Sequence, residues 1–393
     1  MKSLRNLLVV LAVILAACGG DGAGTTTADG TATTEATGTT AAETTTSAST
    51  ETTEAPEVTT GVLIPIRLQL QWVTQAQFGG YFAAIEQGFY NDAGLDVTIL
   101  EGAVDIVPQQ VVAAGGAEFG ISWVPKALVS REEGADLVNI GQVFQRSGTL
   151  EVSWADAGIT EPADWEGKRV GTWGFGNEFE LTAAFELFDV TPGEVIQQPF
   201  DMSLLLNDEL DAAQAMTYNE YAQVLEQENP ETGELYTPAD LSVIDFNEIG
   251  TAMLQDAIWA EAAWLADNEE TAQAFLKASF QGWIFCRDNP DACVQIVLDR
   301  GSALGASHQA WQMNEINALI WPSPGGIGVM DQALWDQTVE VAVGQAVIGA
   351  DPGEDAFRTD LAEAAVAELE GEGLDVTGDS FQKTTVTLNP GGE

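Results

Sequence analysis

From residue 61 onward the chain alternates short apolar runs with stretches in which apolar residues recur at helical spacing, as expected of an α/β fold with largely parallel sheets. Residues 66–71 read as a first strand. A polar turn, Val73-Thr74-Gln75-Ala76-Gln77, follows Trp72, and Phe78, Tyr81, Phe82 and Ile85 then fall at i, i+3, i+4 and i+7, one face of a helix. Gly88 and Gly94 bracket a loop into a second strand at 95–100, residues 106–114 read as a helix closed by Gly115-Gly116, and 119–123 make a third strand. The pattern restarts with a strand at 168–173, the turn Gly174-Phe175-Gly176-Asn177 and a helix at 178–188. Residues 204–206, 208–210 and 211–213 echo Val111-Val112, Gly115-Gly116 and Glu118-Phe119-Gly120 in the same order. Two such halves predict two lobes with a ligand cleft between the carboxyl ends of their strands.

The chain crosses between lobes near 150–154 and again near 242–246, which divides it into a first lobe at 61–152, a second at 153–245, and 246–393 as a return to the first lobe together with C-terminal helices. The return reads as mainly helical, with Trp259, Ala263, Trp264, Phe275, Phe280 and Trp283 as one buried face.

The first sixty residues obey other rules. Lys2 and Arg5 precede an apolar run, Leu7 to Leu15, that ends in Leu15-Ala16-Ala17-Cys18, the layout of a lipoprotein signal peptide over 1–18. The run is too short to span a bilayer, and acylation of Cys18 is expected to be the only attachment to the cell membrane. In 19–60, 17 of 42 residues are Thr, seven are Asp or Glu and none is Lys or Arg, so this stretch reads as a disordered acidic tether.

A formal charge of −48 argues against nucleic acid as a partner, because a phosphate-binding face needs a concentration of Lys and Arg. Once Cys18 is assigned to lipid, Cys286 and Cys293 remain as an even pair in an oxidising compartment, a candidate disulfide provided that Asp288-Asn289-Pro290 ends the helix between them. The sole histidine, His308, has no company for a metal site, and no metal or cofactor is expected.

Gln69-Leu70-Gln71-Trp72, Glu86-Gln87-Gly88-Phe89-Tyr90, Gly94-Leu95-Asp96-Val97, Asp164-Trp165-Glu166-Gly167-Lys168-Arg169-Val170-Gly171 and Leu210-Asp211-Ala212-Ala213 follow one order. In that order, over about 66–298, the chain resembles the thiamine-pyrimidine-type family of periplasmic binding proteins. It is especially similar to binding lipoproteins for riboflavin and for a formylated aminopyrimidine precursor of thiamine. The resemblance implies a small-molecule ligand, an ABC permease with its ATPase subunit as partners, an extracytoplasmic site and a monomer. The family also contains an enzyme, the thiamine-pyrimidine synthase, which consumes its own histidine and a pyridoxal phosphate held by a lysine. Matched motif by motif, that lysine falls on Ser122, the donor histidine on Lys126 and a further histidine on Phe78, and the synthase's cysteines near Gly250-Thr251-Ala252-Met253 are missing. The chain is therefore expected not to be an enzyme.

The candidate ligand contacts sit at strand ends: Trp72, Gln75, Gln77, Phe78 and Tyr81, with Ser122 and Trp123 at the end of the third strand, in the first lobe; Trp173, Gly174, Asn177, Glu178, Tyr218 and Asn219 in the second. Facing aromatic rings can sandwich a planar heterocycle, and Gln and Asn both donate and accept along its edge. Glu178 or Asp105 could accept from an exocyclic amine or a sugar hydroxyl. The glycine turn at 174–176 could offer backbone N–H groups to a phosphate, or simply let the chain turn tightly.

Overall fold

The computed structural model describes residues 62–393; the leader, Cys18 and the tether lie outside the described residues. Ten strands make the frame: β1 (Ile64–Gln69), β2 (Leu95–Leu100), β3 (Phe119–Trp123), β4 (Leu137–Gln142), β5 (Thr149–Trp154), β6 (Arg169–Thr172), β7 (Glu194–Gln197), β8 (Ala213–Met216), β9 (Leu241–Asp245) and β10 (Asp256–Glu261).

The first sheet has the order β2-β1-β3-β10-β4. Only β10 is reversed, lying antiparallel between β3 and β4. In the second lobe β5 lies antiparallel between β8 and β9, and the parallel pair β6-β7 joins the β8 side through a parallel bridge from Val170 to Ala212. The order β7-β6-β8-β5-β9 thus repeats the first, with β5 in the place of β10. Each reversed strand is the one arriving from the other lobe, since β5 follows β4 and β10 follows β9. The fold is α/β, with two mostly parallel sheets, and β5 belongs to the second sheet along its whole length.

Strands β3 and β4 are buried throughout and β10 nearly so, because helices cover both faces, and this erases the alternation a half-exposed strand would show. For that reason the helical reading of residue 259 was misplaced. Trp259 lies in β10; Ala263 is exposed and Trp264 half-buried, while Phe275, Phe280 and Trp283 do form the buried face of helix Glu269–Asp288. That helix packs on helix Gly79–Glu86 at a glycine contact: a Cβ on Gly282 would stand 2.0 Å from the Gly80 carbonyl oxygen. The helix ends at Asp288, the next runs Pro290–Asp299, and Cys286 and Cys293 are joined by a disulfide with Cα atoms 5.1 Å apart.

The two chain crossings are stitched together. Gln255 accepts from Gly148 N–H at 2.8 Å and donates to the Ser147 and Thr149 hydroxyls, and Asn247 Nδ2 donates to the Ser147 carbonyl. Glu180, in the first turn of helix Phe179–Leu187, reaches both crossings: it accepts from Met253 N–H at 2.6 Å and from the Ser147 hydroxyl at 3.1 Å.

Candidate functional site

A cavity of about 480 Å³ opens between the lobes. Trp72, Gln75, Gln77, Ser122 and Trp123 line it from the first lobe, and Trp173, Asn177, Tyr218 and Asn219 from the second. These lie at or just after the carboxyl ends of β1, β3, β6 and β8, so the parallel strands deliver them to one place. Five other candidates lie elsewhere. Phe78 and Tyr81 are core residues, Tyr81 packing edge-on against Trp283 with centroids 5.6 Å apart. Asp105 is exposed in the loop after β2, Gly174 is off the cavity wall, and Glu178 turns its carboxylate to Gly176 N–H at 2.8 Å.

Aromatic rings meet across the opening. Trp72 lies 4.9 Å from Phe200, which stacks at 6.2 Å on Trp173. Phe200 follows β7, a four-residue and largely exposed strand too weakly patterned to be read from the sequence. Its signal in the sequence is an aromatic residue just beyond Gln197-Gln198-Pro199.

Behind the first-lobe wall stands Asp256, 2 % exposed, which the sequence reading also missed. As the first residue of β10 it pairs in register with Trp123. It accepts from Trp123 Nε1 at 2.9 Å, Gln71 Nε2 at 2.6 Å and Gln77 Nε2 at 2.9 Å, and so fixes three lining side chains. Burial pushes its carboxyl up to about 6 against these hydrogen bonds.

Lys126, following β3, is the one amine among the lining residues; its ammonium donates to Asn177 Oδ1 of the second lobe at 2.7 Å and lies 4.7 Å from the centre of the Trp123 ring. Burial pulls it down to about 8, opposed by the charges of Asp256 and Glu178. On the second-lobe wall Glu220 accepts from Met216 N–H and Asn219 Nδ2, and burial raises it to about 7. His308 is a buried linker: Nδ1 meets Glu226 Oε1 at 2.7 Å and Nε2 meets Asn219 Oδ1 at 3.0 Å. Among the described residues no group of three or more His, Cys, Asp or Glu is placed to hold a metal, and no helix is long and apolar enough to cross a membrane.

Two lobes with one reversed strand each and a cleft at their strand ends define the periplasmic binding protein fold. The aliphatic sulphonate binding protein SsuA of Escherichia coli shares it, with a TM-score of 0.54 over 82 % of this chain and 92 % of that one at 14 % identity. The chain belongs to the NMT1/THI5-like family, whose model matches residues 75–293. It is 23 % identical to the formylaminopyrimidine-binding protein of Halalkalibacterium halodurans over 70 % of this chain and 83 % of the relative. It is 24 % identical to the riboflavin-binding protein RibY of Chloroflexus aurantiacus over 70 % and 79 %.

Proposed function

We propose that the protein is the solute-binding component of an ABC importer, taking a small planar heteroaromatic vitamin or vitamin precursor into the interlobe cleft. The observation that carries this reading is the aromatic series Trp72, Phe200 and Trp173 across the opening, flanked by glutamines that Asp256 holds in place. Rings supply stacking surface, and the amides supply the mixed donors and acceptors that a flavin or aminopyrimidine edge requires. Riboflavin and a formylated aminopyrimidine are the two ligands that the relatives' names put forward. Ligand bridging both lobes favours the closed form, which a permease and its ATPase subunit then read. In this reading the protein works as a monomer outside the cell, anchored only through a lipid on Cys18, with residues 19–60 as tether.

The test is tryptophan fluorescence of the purified protein titrated with each ligand. Saturable quenching by one of them identifies the cargo; silence from both removes vitamin precursors from consideration. Against a synthase, Ser122 stands where the cofactor lysine belongs, and its hydroxyl donates to Gln109 Oε1 at 3.1 Å. Lys126 remains as an amine in the cleft, so borohydride reduction after incubation with pyridoxal phosphate discriminates: a phosphopyridoxyl adduct on Lys126 moves the protein to the enzyme class.

A further inference from the structure

We propose that Glu178 sets the charge specificity of the cleft: its carboxylate fills the anion position of the second-lobe glycine turn, so the site accepts unphosphorylated ligands and rejects their phosphate esters. The inference deepens the cleft reading above and rests on it.

A glycine turn between a strand and a helix is a common phosphate cradle, because its backbone N–H groups point at one place. Here the turn between β6 and helix Phe179–Leu187 has Gly174, Phe175 and Gly176 at φ of 69°, 55° and 85°. A positive φ at a residue as bulky as Phe175 is strained, and such strain persists where the surrounding structure imposes it. Three backbone donors of this turn, Gly174, Gly176 and Asn177 N–H, are engaged within the protein. Gly176 N–H donates to Glu178 Oε2 at 2.8 Å, and Asn177 donates to the Gly174 carbonyl through its backbone at 3.0 Å and through Nδ2 at 2.7 Å. Lys126, the cation nearest the turn, is committed to Asn177 Oδ1 and feels the charges of Asp256 and Glu178. Glu133 and Glu220 line the cavity, and Asp256 and Glu178 act on Lys126 from behind its wall, which leaves one lining ammonium against four carboxyl groups. A phosphate entering the turn would have to displace Glu178 and then lie beside it, a like-charge contact that discriminates against the ester without affecting a neutral ligand.

The first experiment is a thermal melt of the full chain in inorganic phosphate against chloride at matched ionic strength. The wild type is expected to melt alike in both, whereas Glu178→Ala gains about 2 °C in phosphate, and adding Lys126→Met abolishes the gain. Stabilisation of the wild type by phosphate, or no gain in folded Glu178→Ala, overturns the proposal. The second experiment uses the wild type alone, in case the substitutions unfold it: riboflavin and its 5′-phosphate are titrated by tryptophan quenching, as are the formylated aminopyrimidine and its phosphate. The ester is expected to bind at least about tenfold more weakly than its parent, and equal affinity overturns the proposal. If no heterocycle binds but the melts behave as expected, the heterocycle reading fails and the role of Glu178 stands.

Discussion

Arg67 in β1 grips Glu118 at the entry to β3: its backbone N–H donates to Oε2 at 2.7 Å, Nη2 donates to Oε1 at 2.5 Å, and Nη2 also reaches the Gly115 carbonyl at 3.1 Å. Arg169 in β6 repeats the grip on Asp211 at the entry to β8, with 2.8 Å from its backbone N–H, 2.7 Å from Nη2, and 2.9 Å from Nη1 to the Asp208 carbonyl. Each clamp ties the turn before one strand, β3 or β8, to the parallel strand beside it, β1 or β6.

Because the clamps lie in different sheets and share no partner, their effects should add. Arg67→Ala and Arg169→Ala are each expected to lower the denaturation midpoint modestly, as both guanidinium groups are substantially exposed, and the double variant should lower it by the sum. Chemical denaturation of the four proteins checks this. A double variant well outside the sum would mean that the lobes communicate through the hinge.

Trp72→Ala should weaken ligand binding at least tenfold, about 1.4 kcal/mol or more, while leaving the fold intact. The indole is half-buried and its closest aromatic partner, Phe200, belongs to the other lobe, so little of the core depends on it. Calorimetry showing unchanged affinity would remove Trp72 from the site.

Asp256→Asn retains the shape but turns an amide into a position where three donors converge, so at least one of Gln71, Gln77 and Trp123 must lose its partner. An unsatisfied buried donor costs about 1–3 kcal/mol. The expected result is a lower melting temperature together with at least about tenfold weaker ligand binding. Loss of stability with full affinity would confine Asp256 to a structural role.

The parts legible in the sequence were those set by local pattern. Strands 95–100 and 119–123 are each preceded by a glycine turn and have the limits that the sequence predicts, and the echo of Glu118 in Asp211 marks the paired clamps. What escaped depends on long-range pairing. Asp256 sits in a mostly apolar run, and only the return of β10 beside β3, 133 residues away in sequence, brings it to Trp123. Phe78 and Tyr81 were placed at the site because they follow Trp72, although their helical spacing already described a core face. Side chains that line the cleft and side chains that support it have the same composition here, and only the direction of the helix separates them.

Acidification should stabilise the fold. Burial raises Glu180 and Glu220 to about 7 and Asp256 to about 6, and raises Glu151, whose two carboxylate oxygens have no hydrogen-bond partner, well above the ordinary range. Each of these groups holds its proton more tightly folded than unfolded, so over the window from about pH 4.5 to 7 the native state binds more protons and stability falls as pH rises, by at most about 1.4 kcal/mol per pH unit for each group. Carboxylates with lowered values, such as Glu118 and Asp211, act in the opposite sense but only at more acid pH. Repulsion within a chain of charge −48 has the same sign as the buried groups, but salt screens it far more than it screens buried carboxyls. Denaturation midpoints measured between about pH 5 and 8 in about 1 M salt should therefore still rise toward acid. Glu180→Gln, which cannot ionise, should remove part of that slope; an unchanged slope would mean that Glu180 does not titrate in this window.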